Sequence, residues 1–382
     1  RIPLISAPGI RNANALRLDW NDVLPAERCS YVLGNPPFVG KSNQDKEQKA
    51  DLAAVMQGIH GAGDLDFVCG WYILAARYLK GTSSRAAFVS TNSITQGEQV
   101  AVLWGEMQRL HMHTHFAHRT FQWTNEASGK AAVHCVIVGF GAEDPAEKTI
   151  YEYEDIKGPP HAVPAKHINA YLVDAPNVLL KKRRAPICAV PEMTNGSKPT
   201  DGGNLLMNDD EKASLLAVEP QAAKWIRRFL GADEFINNIP RWCLWLVECP
   251  PNELRAMPEV MKRVKSVKTM RMASAKASTM ALAGSPQNFG ELRQPKSQYL
   301  LIPSVSSERR EYVPIGYIDS EVIVSNAVYA LPNATLFHFG IMTSAMHNAF
   351  MRFTCGRLES RFRYSNTIVY NNYPWPGFAG EA

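Results

Sequence analysis

Four consecutive residues, Asn35-Pro36-Pro37-Phe38, follow directly on the short apolar run SYVLG at 30–34. Their types define a chemistry. The side-chain oxygen of an asparagine and the carbonyl of Pro36 can each accept one hydrogen of the same amine. Two acceptors on an amine whose lone pair is delocalised favour sp³ character and free that pair to attack an electrophile. The two prolines fix φ and present the carbonyls rigidly. Phe38 adds a flat apolar face. The same four residues also make a turn that merely ends a strand, so the surrounding elements decide between the two.

Those elements alternate over the first 150 residues. SYVLG is a short strand. Residues 64–80 carry Phe67, Val68, Trp71, Tyr72, Ala75, Tyr78 and Leu79 three to four apart, the spacing of one helix face. A strand is expected over 85–90, a helix over 97–110, and a strand over 131–140 paired with one at 113–118. Strands alternating with helices of this length imply an α/β fold with a mostly parallel, doubly wound sheet. KGPPHAVP, within 155–165, is a linker signal. Beyond it lie turn-rich segments and an amphipathic helix over 252–278. Met257, Val260, Met261, Val264, Val267 and Met270 line one face of it; Lys262, Arg263, Lys265, Lys268 and Arg271 fill mainly the rest. Leu336, Phe339, Met342, Met346, Phe350 and Phe353 mark a further helix.

Composition narrows the class. The chain has 382 residues, 46% apolar and 20% charged, which excludes disorder, collagen and a coiled coil. No run of about 18 apolar residues occurs, so no membrane partner is expected. Seven scattered cysteines without a C-x-x-C pair argue against a disulfide framework and a zinc site, and for a reducing cytoplasm. His111, His113, His115 and His118 alternate as strand neighbours do, without convergent carboxylates, and no metal is expected. The formal charge of +5 says little. Its distribution says more: residues 251–300 hold nine Lys/Arg against three Asp/Glu. Such a surface suits a polyanion, and equally a solvated helix face. Lys181-Lys182-Arg183-Arg184 reads as a solvated run.

The strand followed by Asn-Pro-Pro-Phe resembles motif IV of class I S-adenosylmethionine-dependent methyltransferases that act on exocyclic or amide nitrogens. Other stretches agree with that resemblance. Leu16-Arg17-Leu18-Asp19-Trp20 resembles the acidic motif that contacts the cofactor adenine. DLDFVCGW at 64–71 matches the helix after motif IV, and FVSTNSI at 88–94 matches motif VI. HRTFQWTNEA at 118–127 resembles motif VIII, whose aromatic closes over a flipped base; Phe121 or Trp123 could fill that role, and either could equally be core.

GNPPFVGK at 34–41, WTNEASGKAAVHCVIVGF at 123–140, SSERREYVPIGYIDS at 306–320 and CGRLESRFRYSNTIVYNNYPWP at 355–376 narrow the likeness. They are similar to the MmeI-like, type IIL, restriction-modification family and its DNA methylase relatives. The resemblance implies a partial Rossmann-like methyltransferase sheet over 1–158, an α+β target-recognition domain over 159–302, and a helical C-terminal segment over 303–382 that completes it. It implies methyl transfer from S-adenosylmethionine to a flipped adenine N6 in double-stranded DNA. Asn35, Pro36, Pro37 and Phe38 would be catalytic, and Asp19 and Asn35 would face the cofactor. Phosphates and bases would fall to Lys262, Arg263, Lys265, Lys268, Arg271, Lys276, Glu291, Arg293, Arg309 and Arg310. Glu291 and Arg293 serve equally well as a surface ion pair.

Two departures qualify the likeness. The glycine-rich motif I for the cofactor is missing, and Gly139-Phe140-Gly141 follows the wrong strand to replace it. No Asp…Glu-x-Lys nuclease constellation is visible. With Arg1 as its first residue, the chain is expected to be a piece of a longer polypeptide, inactive alone. Motif I would then come from the preceding polypeptide or a separate chain. Two other functions fit the same residues: a non-catalytic DNA-binding specificity fragment, and an N-methyltransferase acting on protein glutamine or RNA.

Overall fold

The computed structural model describes residues 9–123, 133–358 and 360–377. The expectations placed on 124–127, 131–132 and Glu359 lie outside them. The chain forms two compact units, one of residues 1–182 with 353–360, the other of 183–352 with 361–382.

The first unit is built on β1 (Tyr31–Gly34), α1 (Lys46–Val55), α2 (Cys69–Tyr78), β2 (Arg85–Thr91), α3 (Glu98–Arg109), β3 (His113–Trp123), β4 (Val133–Gly141), β5 (Lys148–Glu152) and β6 (His161–Ala165). Its sheet has the order β1-β2-β4-β3-β5-β6. β1 runs parallel to β2, and β3 to β5; β4 is antiparallel to both its neighbours, and β6 to β5. The sheet is therefore mixed rather than mostly parallel. The reason is local: β4 folds back on β3 and inserts between it and β2. KGPPHAVP is not a linker, because His161–Ala165 adds the sixth strand. The first compact unit runs on to residue 182, past the boundary expected at 158/159.

Tyr72 of α2 is the hub of this core. Its ring stacks on Phe140 at 5.5 Å and meets Phe88 edge-on at 5.3 Å, while its hydroxyl finds Ser90 Oγ at 2.7 Å. A ring buried this way contributes about 1.5–3 kcal/mol, provided the hydroxyl is paired. α3 presents Val100, Leu103, Trp104 and Met107 to the same core. Among the described residues no strand pairs with the outer side of β1. On β1, Tyr31 is 68% and Leu33 75% exposed.

Residues 353–360 return to this unit at Gly97. The Gly97 N–H donates to the Thr354 carbonyl at 3.1 Å, and a Cβ on Gly97 would lie 3.2 Å from Gly356 Cα. With φ at +60°, that position suits glycine for both reasons.

The second unit contains two four-stranded sheets. One places Ile226–Leu230 between Ile323–Val324 and Trp242–Leu244, with Leu206–Met207 beyond; the other places Tyr299–Pro303 between Gly316–Ile318 and Val328–Pro332, with Thr194–Asn195 beyond. Every residue of Tyr299–Pro303 is buried, as a strand covered on both faces must be. The helix expected over 252–278 is three helices, Pro251–Arg255, Pro258–Met272 and Ala277–Ala281. Pro258 cannot continue a helix and starts one instead. The buried Glu219 carboxylate caps that start, accepting from the N–H groups of Glu259 and Val260. The helix expected near the C-terminus is likewise two, Leu336–Met342 and Ala345–Thr354, parted at Thr343-Ser344. Among the described residues no helix is long and apolar enough to cross a membrane.

His347 lies in an aromatic nest, 1% exposed, with Nε2 3.0 Å from the Tyr364 hydroxyl and the Tyr373 ring edge-on at 4.5 Å. Burial lowers its pKa to about 4. The unfolded value is about 6.5, so only the unfolded chain binds the proton between these limits. Its contribution is present above about pH 6.5 and is lost as pH falls to about 4, a change of roughly 3 kcal/mol. Urea unfolding across that range should therefore show a smaller acid loss of stability in His347→Phe than in the parent. Equal losses would mean that the imidazole is solvated.

Candidate active site

β1 delivers its last residue, Gly34, against Phe88 of β2. A Cβ there would lie 3.2 Å from that ring. Beyond Gly34 the chain turns outward: Asn35 is exposed, Pro36 buried, Pro37 exposed and Phe38 half-buried against the core. Val39 is then held on both sides of its backbone. Its N–H donates to Asp66 Oδ1 at 3.1 Å; its carbonyl accepts from Phe67 N–H at 3.0 Å and Gln44 Nε2 at 3.0 Å. Gln44 also donates to the Leu65 carbonyl at 3.0 Å. The second Asp66 oxygen accepts from the Thr91 hydroxyl at 3.2 Å, at the end of β2. Asp66 is 3% exposed. Desolvation raises its pKa, and the backbone and hydroxyl donors work against that rise.

A ladder of rings stands along β3 and β5. His118 stacks on Tyr151 at 4.2 Å, and Phe121 on Tyr153 at 5.3 Å, with His118 Nδ1 2.8 Å from the Tyr153 hydroxyl. Burial lowers the His118 pKa, which favours the neutral ring. Phe121 thus has one face already occupied. Trp123, 6.2 Å from Phe121, is 44% exposed at the end of β3. Tyr151 and Tyr153 were not singled out from the sequence, although rings at 116, 118, 121 and 123 facing rings at 151 and 153 are a readable signal once β3 and β5 are known to pair. The four histidines do not converge. His111 sits in a turn, His115 meets the Glu143 carbonyl at 2.8 Å, and His113 is 3.6 Å from Asp144.

Asp19 lies beside α2 rather than in the loop after β1. It borders a cleft of about 220 Å³ with Leu18, Trp20, Asn21, Leu74, Arg77 and Tyr78, along the C-terminal half of α2. The loop after β1 meets the segment just before that helix, at Asp66–Phe67. The cleft reaches back to Leu74, midway along α2. The Asp19 carboxylate caps a short 3₁₀ turn by accepting from Asn21 N–H at 2.9 Å.

Among the basic residues, Arg271 is the clear correction. It is 1% exposed, and its guanidinium donates to the carbonyls of Pro199, Thr200, Leu282, Ser285 and Asn288. No donor is left for a phosphate; Arg271 ties loops together. Arg263 is partly engaged, donating to Asn204 and facing Glu211 at 3.4 Å. Lys262 pairs with Glu259. Lys265, Lys268 and Lys276 are exposed, as are Arg309 and Arg310. Glu291 and Arg293 form an ion pair with each other, and Glu291 bridges to Lys198 through its backbone.

A Rossmann-like sheet with an outward Asn-Pro-Pro-Phe loop, joined in sequence to an α+β unit with free lysines, has the two-part organisation of a modification enzyme that carries its own recognition module. Residues 1–152 match the DNA-methyltransferase domain of MmeI, and residues 174–377 its target recognition domain. The chain belongs to the MmeI family. It is 36% identical over 98% of its length to DNA methyltransferase A of Bacillus subtilis (strain 168), covering 42% of that protein. It is 54% identical to the type IIL restriction-modification enzyme MmeI, solved in complex with DNA, with a TM-score of 0.92 over 99% of this chain and 50% of that one. The chain thus spans about half the length of these relatives.

The two kinds of basic residue on one helix should separate by stability. Arg271→Ala strips a charged donor from five carbonyls and should lower unfolding free energy by roughly 3–5 kcal/mol. Lys268→Ala should stay within about 0.5 kcal/mol of the parent. Chemical denaturation checks both, and an unaffected Arg271→Ala would return that residue to the surface.

Proposed function

We propose that the chain is the catalytic-loop and target-recognition portion of an S-adenosylmethionine-dependent DNA adenine-N6 methyltransferase of a restriction-modification system. The observation that carries this reading is Asn35, exposed at the end of a parallel strand, with Pro36 buried behind it and Phe38 alongside. Membership of the MmeI family supports it.

In this reading the Asn35 oxygen and the Pro36 carbonyl each accept one N6 hydrogen of an adenine flipped from the duplex. That arrangement releases the lone pair from the ring and aims it. Phe38 supports one face of the base, and Phe121 or Trp123 closes on the other. S-adenosylmethionine, when bound, supplies an electrophilic methyl on its sulfonium. The residues present fit one side of such a cofactor site, with Asn35 bordering it. Among the described residues no glycine-rich turn follows a strand ahead of β1. Among the described residues β1 has a paired strand on one side only, which suits further sheet beside it. The remainder of the site is assigned to the preceding polypeptide or to a separate chain. Lys265, Lys268, Lys276, Arg309 and Arg310 would hold phosphates. Glu291 and Arg293 would read base edges by exchanging their mutual ion pair for a base pair's polar edge.

Calorimetry on the isolated chain should give weak or no binding of S-adenosylmethionine. Micromolar affinity would show that the cofactor site lies within these residues. In the intact enzyme, Asn35→Ala should cut single-turnover methylation by about 10²–10³-fold, roughly 2.7–4 kcal/mol, and leave DNA affinity largely intact. Phe38→Ala removes a stacking platform worth about 1–3 kcal/mol and should weaken capture of the base as well as turnover. A wild-type rate in Asn35→Ala would reduce the loop to a turn that ends a strand.

A further inference from the structure

We propose that Asp66 is the positioning residue of the catalytic loop: its buried carboxylate fixes Val39 and thereby the placement of Phe38 and of the Asn35 and Pro36 acceptors. This rests on the methyltransferase reading given above.

The residue has a simpler use, as a cap on the segment that starts α2, since Val68 N–H donates to Oδ1 at 3.3 Å. Capping needs one oxygen and one segment. Asp66 serves three. Oδ1 takes the Val39 N–H at a shorter 3.1 Å, and Oδ2 takes the Thr91 hydroxyl from the end of β2. The Thr91 hydroxyl in turn meets Ser93 Oγ at 2.6 Å, inside the turn that follows β2. The carboxylate therefore sits between the loops leaving β1 and β2 and ties both to α2. It does so without a cation, for no ion pair to Asp66 exists among the described residues, at 3% exposure. A buried carboxylate held only by neutral donors is costly. A hydrogen-bonded turn could have used an asparagine or serine. The carbonyl side of Val39 is secured independently, by Phe67 N–H and by the buried Gln44. With both sides of that residue pinned, Phe38 immediately before it has little freedom, while Asn35 stays in solvent.

Preorganisation of this kind acts on rate rather than on affinity, because a base held about 1 Å out of place can cost about 10²-fold. The test compares Asp66→Ala, Asp66→Asn and Thr91→Val in the intact enzyme, with Asn35→Ala as the control. Single-turnover methylation, duplex affinity and thermal midpoint are measured for each. Asp66→Ala should lose roughly 10–100-fold in rate with affinity for a site-bearing duplex nearly unchanged. Asp66→Asn keeps one acceptor for Val39 and should recover most of the rate. Thr91→Val loses only the second tie and should fall between Asp66→Asn and Asp66→Ala; it carries the test if Asp66→Ala does not fold. An undiminished rate in Asp66→Ala and Thr91→Val, with Asn35→Ala inactive, overturns the proposal and leaves the methyltransferase reading standing. So does a loss of rate and affinity in step with lost stability. Full activity in Asn35→Ala would overturn that reading itself.

Discussion

One constraint shapes the first unit: the loop after β1 exposes Asn35 on a stretch that cannot hold itself by its own N–H groups. Pro36 and Pro37 have no N–H to donate. The anchoring falls on Val39, the first residue past the motif with both a donor and an acceptor. Its partners come from the segment before α2 and, through Gln44, from the loop itself. The packing hub lies farther along the same helix. Tyr72 is clasped by Phe88 and Phe140, and Phe88 is the ring that demands glycine at position 34. Core and loop therefore share α2 and β2.

Much of this was legible in the sequence, and the legible parts have a common character. Helices α2 and α3 appear in the 3.6-residue spacing of their apolar residues, and β1, β2 and β4 in short β-rich runs bounded by turn residues. The loop itself is a contiguous motif. What was not legible depends on pairing at a distance. The sequence carries no mark that β4 inserts between β2 and β3, or that His161–Ala165 is a sixth strand despite Pro159 and Pro160 before it and Pro164 within it. Asp66 lies in the stretch DLDFVCGW, yet its bonds to Val39 and Thr91 exist only once the fold brings those residues to it. Tyr153 gains meaning only from its stack on Phe121.

The basic helix shows the opposite error, of a sequence that says too much. Lys262, Arg263, Lys265, Lys268 and Arg271 look alike as a run of positive charge. On a helix they point in different directions. Arg271 falls four residues after Val267 and seven after Val264, both buried, and so it shares the core face of Pro258–Met272. There the planar guanidinium, with five N–H donors, is the side chain suited to satisfying several carbonyls at once. Lysine could not do the same with three. The sequence-level apolar stripe already implied this placement: position 271 continues it, and an arginine there should be read first as a buried tie.

The same logic bears on Asp19. An acid near the end of an apolar run resembles a ligand contact, but caps and contacts use the same chemistry and differ only in where the chain has carried them. Trp20 meets Tyr78 edge-on at 5.7 Å, and the Tyr78 hydroxyl reaches the Leu24 carbonyl at 2.7 Å, so this stretch lies along the far end of α2. Leu16, by contrast, lies so close to Gly70, at the near end, that a Cβ there would be 3.0 Å from its side chain. The segment runs the length of the helix. Its earlier residues, where Asn14 and Arg17 both bond Asp51, lie closer to the end that carries the loop. Whatever the segment touches beside the loop therefore starts from its earlier residues, while Asp19 lies alongside the half of α2 that runs from Leu74 to Tyr78.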